Sequence, residues 1–156
     1  MPRRWKIFSR WEGAAAVELA LLLLPLVLLI GGGMDFGEAY YIKHMITNAS
    51  REGARYGVKY KADPSTGLPL APSALTPSIS DYVKLPAPTG LGYSNLLGSN
   101  ANLTVVPGGT GYTSNAVGDA LTVTTTAEKH WFFLGGLLGF PNPQTLQAST
   151  TMALER

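Results

Sequence analysis

Two histidines, His44 and His130, and no cysteine are all the chain offers in imidazole and thiol chemistry. A zinc site needs three or four converging N, S or O ligands. The positions four residues either side of His44 hold Tyr40 and Asn48, so no helical ligand pair forms there. His130, beside Trp131, reads as a strand-end residue. Gly108, Gly109 and Gly111 make a glycine-rich stretch without the Lys-Ser/Thr pair of a phosphate loop, which reads as a turn. No Gly-x-Ser-x-Gly elbow is present. Asp35 and Glu38 lie within one helical turn, a spacing that suggests calcium, yet no oxygen-rich loop accompanies them. Asp35 is instead expected to cap or start a helix. The triplets at Asn48 and Asn102 fit the glycosylation pattern and are read as chance. With no nucleophile, base and orienter set in view, the sequence points away from an enzyme, and it implies no cofactor and no metal.

One acid is placed where a different chemistry is required. Residues 14–33 read AAAVELALLLLPLVLLIGGG, and Glu18 is the only charged residue among them. The stretch matches the ~20 residues that a helix needs to cross a bilayer, and it exceeds the ~7–15 of a simple secretory h-region. Arg3, Arg4, Lys6 and Arg10 precede it and would hold that end in the cytoplasm. An acid at the centre of such a helix costs about 2.5–3.5 kcal/mol on insertion scales. Glu18 therefore either reaches headgroups from one turn inside the run or has a partner within the membrane, such as a group on another chain. Pro25 removes a backbone hydrogen bond and predicts a kink. Gly31, Gly32 and Gly33 suit either close helix packing or a flexible joint; their consecutive spacing favours the joint.

The surroundings of Glu18 carry a resemblance. Gly13 closes a basic leader, MPRRWKIFSRWEG, and Glu18 is the fifth residue after it. This is similar to the prepilin peptidase site of type IV pilins, where the cut follows a glycine and a glutamate is the fifth mature residue. The match continues through EGAAAVELALLLLPLVLLI and MDFGEAYYIKHMITNASREGARYGV. Over residues 10–58 the chain resembles the TadE family of the tight-adherence (Flp/Tad) pilus system. Leu19 stands where that family usually has Phe or Tyr. The resemblance implies cleavage between Gly13 and Ala14 and pairing of the Glu18 carboxylate with the freed amine of Ala14, its own or a neighbour's. It further implies a pilin-like minor pilin or pseudopilin that acts in pilus assembly, adhesion or biofilm formation. The implied partners are prepilin peptidase, the major Flp pilin and related minor pilins, the Tad inner-membrane platform proteins and the lipid bilayer. The implied location is the bacterial inner membrane, single pass, with the C-terminal domain exported and access to an extracellular pilus after processing. A tethered exported binding or scaffold domain with no filament role shares this topology and is the alternative.

Charge agrees with an anchor and not with nucleic acid. The net charge is +2, from twelve basic and ten acidic residues. Four of the former and one of the latter lie in the leader, which leaves eight basic against nine acidic beyond it. No basic stripe with interleaved aromatics appears there. Without cysteine no disulfide braces the domain, and the core must be small.

Four segments are expected: a cleaved leader at 1–13, a transmembrane helix at 14–34, an amphipathic stalk helix at 35–61 and a small exported domain at 62–156. The stalk stripe is Phe36, Ala39, Ile42, Ile46, Ala49, Gly53 and Tyr56 at three- and four-residue steps. Residues 63–67 (DPSTG) signal a turn. A short helix is expected at 78–84, with Thr76 and Pro77 as cap and first residue; residues 86–100 read as loop. Strands are expected at 102–106, 120–128 and 145–154, the second with Leu121, Val123, Thr125 and Ala127 on one face. With no helix between them, the strands favour an antiparallel meander. The predicted fold class is α+β, a long N-terminal helix packed against about three antiparallel strands. Between the last two strands lies KHWFFLGGLLGFPNP, residues 129–143. It gathers Trp131, Phe132, Phe133, Leu134, Leu137, Leu138 and Phe140 in one connection. Such a segment caps the core, forms a subunit contact patch or dips into the outer leaflet; capping is the favoured reading.

Overall fold

The computed structural model describes residues 10–59 and 61–155. Arg3, Arg4, Trp5 and Lys6 of the leader lie outside the described residues. Alanine and leucine, both strong helix formers, dominate the start of α1 (Arg10–Val58), a single helix of 49 residues and about 74 Å at 1.5 Å per residue. It contains Pro25 and continues without a break through Gly31, Gly32 and Gly33. The helix changes character along its length. Val17, Leu21, Leu22, Leu24, Leu26 and Leu29 are all more than half exposed, and none of the most apolar stretch is buried. From Gly31 onward one face is covered. A run of bare leucines this long is the kind of surface that hydrocarbon, not water, accommodates, so the first half of α1 is suited to be a membrane anchor.

The covered face of α1 packs on a three-stranded antiparallel sheet in the order β1 (Thr104–Gly108), β2 (Ala120–Lys129), β3 (Gln144–Ala153). The fold is α+β. β2 is central, with Thr125 opposite Val105 on one side and Ala148 on the other. Its alternation is strict: Leu121, Val123, Thr125, Ala127 and Lys129 are buried, and the residues between them are half-buried. Thr122 meets Thr151 at 2.8 Å on the opposite face, the β-branched ladder expected of a solvated side. Ile42, Ile46, Ala49, Ala54 and Val58 of α1 close the core against Leu121, Val123 and Ala127, with Ile79 and Val83 of α2 (Ile79–Lys84) on its flank. Thr125 lies within that core and donates to the Ile46 carbonyl at 2.7 Å.

Several local expectations are corrected. The helix stops at Val58, not near Lys61. Phe36 is exposed and Tyr56 only half-buried; the buried positions near them are Asp35, Gly53, Ala54 and Gly57. The N-cap of α2 is Ser78, whose hydroxyl accepts the Asp81 N–H, as a serine with an acid three residues on should. The stretch read as loop contains α3 (Tyr93–Leu97), entered through Gly92 at φ +74°. β1 begins two residues later than expected and runs through Pro107 to Gly108. The apolar connection contains a one-turn helix, α4 (Leu134–Leu138).

Gly53 and Gly57, one turn apart, let α2 and β2 approach the helix backbone. A Cβ on Gly57 would fall 2.4 Å from Leu121 and 2.8 Å from Ile79. Overpacking of this kind costs typically ~1–3 kcal/mol, more than the ~1 kcal/mol of helix propensity that alanine returns. Gly57→Ala is therefore expected to lower thermal stability by a net ~1 kcal/mol or more, and Gly57→Val by several times that. Gly37→Ala, where a Cβ would meet nothing within 4 Å, should leave stability unchanged or raise it.

Candidate functional site

The sequence marks residues at the start of α1 and in the connection 129–143, and the structure brings two of these groups together. Phe133 lies across Gly31: a Cβ there would fall 2.6 Å from the ring. Leu134 lies 3.6 Å from the corresponding position on Gly32. Gly31 and Gly32 are thus buried contact points between α1 and the connection, whereas a Cβ on Gly33 would meet nothing within 4 Å.

Asp35, one turn further along α1, anchors the same contact. Its side chain is buried, and its two oxygens accept the backbone N–H groups of Phe132, Phe133 and Leu134 at 3.0, 2.8 and 2.9 Å. Asp35 therefore does not cap its own helix; it lies well inside α1 and holds the start of α4. Lys129, at the inward end of β2, is fully buried with its ammonium 3.5 Å from Asp35 and 2.5 Å from Glu38. It also donates to the His130 carbonyl at 2.7 Å. A buried ammonium is tolerated only when it finds acceptors and opposite charge; here Glu38 and the His130 carbonyl accept from it and Asp35 adds a second carboxylate at 3.5 Å. Burial pushes the Asp35 carboxyl upward, but the N–H groups of Leu134, Phe132 and Phe133 and the Lys129 charge outweigh it and lower its pKa from 3.8 to about 2. A cation does answer Asp35 and Glu38: the ammonium of Lys129.

The connection is closed on itself. Asn142 accepts the Trp131 N–H at 3.3 Å and donates to the Trp131 carbonyl at 3.1 Å. The Trp131 indole donates to Gln144 at 3.1 Å, and its ring meets Phe36 edge-on at 5.9 Å and Phe140 at 5.4 Å. Trp131 and Leu134 are buried and Phe133 is half-buried, so these three cap the end of the core. Phe132, Leu137, Leu138 and Phe140 remain exposed. The seven residues singled out in the connection thus divide between capping the core and presenting a bare surface.

The remaining marked positions lie along the bare part of α1. Gly13 has open space around its Cα, and Ala14 and Glu18 are exposed. His44 is exposed and stacks edge-on against Tyr40 at 4.3 Å; His130 is exposed just past β2. A surface depression is bordered by Glu38, Tyr41, Leu97, Glu128 and His130. Among the described residues no group of three His, Cys, Asp or Glu is placed to hold a metal ion.

Residues 13–55 match a family model described as TadE-like protein. The match begins at the glycine of the marked processing site and ends within the stalk half of α1. No curated protein and no solved structure matches the chain significantly.

Proposed function

We propose, with the TadE-like match of residues 13–55 as the premise, that this chain is a minor pilin or pseudopilin in assembly of a Tad-type (Flp, type IVc) pilus used for adhesion and biofilm formation. The match is the observation that carries the reading. The structure supports it with an apolar helix that is bare where a pilin helix meets membrane or sister helices and covered where a folded domain hangs from it. The role is structural. Prepilin peptidase cuts between Gly13 and Ala14, and the helix from Ala14 is stored in the inner membrane with the basic leader on the cytoplasmic side. The folded domain, residues 62–156, is exported, and the helix then joins other pilin subunits, the major Flp pilin and related minor pilins, at the Tad platform.

The openness around Gly13 gives a peptidase room to work, and a bulky side chain there removes it. Gly13→Leu is expected to leave the leader attached. Intact-mass spectrometry of membrane-purified protein reads this directly: the wild type should begin at Ala14 and Gly13→Leu at Met1. A wild-type protein that still carries Met1 would overturn the pilin reading while leaving the anchor.

A further inference from the structure

The bare half of the connection lies at a definite level along α1. The apolar run that begins at Ala14 uses up the ~20 residues of a bilayer crossing by about Gly33. Phe133 and Leu134 are seated on Gly31 and Gly32, the last turn of that run. Asp35, with its three N–H bonds and the lysine, fixes the connection at this height. Held there, it exposes Phe132 by 82%, Leu138 by 64% and Leu137 by 57%. From Trp131 to Pro143 it has no charged residue, and the adjacent Lys129 is turned inward. Further along the helix Phe36, one turn beyond Gly32, and Tyr40 and Tyr41, more than two turns beyond it, are exposed; tyrosines at that height suit the headgroup layer next to the hydrocarbon. Water would meet this patch at full hydrophobic cost, about 25 cal/mol per Å², whereas hydrocarbon begins beside it.

We propose that residues 132–140 form an interfacial membrane element, with Phe132, Leu137, Leu138 and Phe140 inserted into the lipid leaflet at the Gly33 end of the span. The chain then holds the bilayer twice, by a crossing helix and by a one-turn helix lying in the interface. The ion pair sets the depth and tilt of the folded domain over the membrane. This rests on the anchor reading of α1, and it selects lipid as the occupant of the patch because the patch is continuous with the surface that the anchor gives to lipid.

The chain has no cysteine, so single cysteines can be placed at will. The test uses full-length protein reconstituted in phosphatidylethanolamine/phosphatidylglycerol vesicles, with nitroxide labels on Phe132→Cys, Leu138→Cys, Leu22→Cys and Val117→Cys. All four sites are exposed, so the labels leave the core intact. Collision rates with oxygen and with a neutral nickel chelate are compared at each site. Labels at 132 and 138 are expected to be oxygen-dominated, as at 22, and the label at 117 nickel-dominated. Nickel-dominated labels at 132 and 138 with oxygen dominance at 22 would overturn the proposal and leave the anchor standing. Nickel dominance at 22 would overturn both. Low access to both reagents at 132 and 138, with spin–spin broadening that disappears on dilution with unlabelled protein, would assign the patch to a second copy and also overturn it.

Discussion

Asp35→Ala is expected to release the connection from the helix. The amides of Phe132, Phe133 and Leu134 should exchange with solvent about 150- to 5,000-fold faster, the equivalent of ~3–5 kcal/mol. Three backbone donors lose their acceptor at once. Each orphaned donor costs about 1–3 kcal/mol if it stays buried, so the segment will open to water instead. Lys129 is left in a buried site with Glu38 and a carbonyl as its remaining acceptors. The loss should therefore be local: protection in β2 and β3 falls much less than at 132–134, because the sheet's packing on Ile46 and Ala49 is untouched. Hydrogen exchange on full-length protein in detergent gives both readouts. Unchanged exchange at 132–134 in Asp35→Ala would mean that ring packing on Gly31, not the carboxylate, holds the connection.

A second arm separates charge from hydrogen bonding. Asp35→Asn keeps one acceptor oxygen but leaves the ammonium short of an anion, and should give an intermediate effect. Adding Lys129→Met removes the stranded charge with a side chain of similar length. Breaking a buried pair is costly because one charge is left uncompensated, so removing that charge as well should let the double variant recover part of the protection that Asp35→Asn loses. Acid gives the same information. The Asp35 pKa is lower in the folded chain, about 2, than its ordinary 3.8. Its contribution is thus fully present above about pH 4 and is lost as the pH falls towards 2. Near-ultraviolet circular dichroism of the Trp131, Phe36 and Phe140 cluster should hold down to about pH 4 and decline below it, and Asp35→Asn should flatten that limb.

How much of this was legible beforehand depended on the range of the interaction. The three strands and their meander follow from period-2 alternation, a local signal, and the inward face of β2 was readable to Ala127. The same parity continued one step would have placed Lys129 inside, and a lysine on an inward position needs an anion. That was the available pointer to the ion pair; its acidic partners lie 91 residues and more away in sequence and show no local sign. By sequence Asp35 reads as a helix cap, because an acid at the end of an apolar run usually is one. α1 instead continues, and the carboxylate serves N–H groups 97 to 99 residues on. α3 was illegible for a different reason. A five-residue helix has no periodicity to read, and it is entered from a left-handed glycine whose φ shows only in three dimensions. The glycines at 31–33 read as a joint because they are consecutive and not spaced for helix packing, but α1 runs straight through them, and at Gly31 the contact with Phe133 requires a residue without Cβ.

Glu18→Ala is expected to reduce incorporation into filaments about 100-fold or more while export, folding and leader removal proceed. Under the proposed function, cleavage after Gly13 would create a charged amine at Ala14, four residues and so one helical turn from Glu18. In membrane the new amine can reach headgroups. In a filament it is packed among apolar helices, where an ion deprived of its partner costs ~3–5 kcal/mol, and every 1.4 kcal/mol is a factor of ten in the equilibrium. Glu18 is exposed within the bare segment, so its removal takes nothing from the folded domain, and the insertion cost of an acid, about 2.5–3.5 kcal/mol at helix centre, falls away. The substitution should thus stabilise the stored helix and penalise the assembled one. Glu18→Gln keeps the shape and removes the charge; if the pair fixes axial register, it should fail nearly as badly as alanine. The measurement is the amount of this subunit in sheared surface filaments, with the N-terminal mass taken on the same samples. Wild-type incorporation of Glu18→Ala, with Ala14 at its N-terminus, would leave the carboxylate without an assembly role and favour a tethered domain that takes no part in the filament.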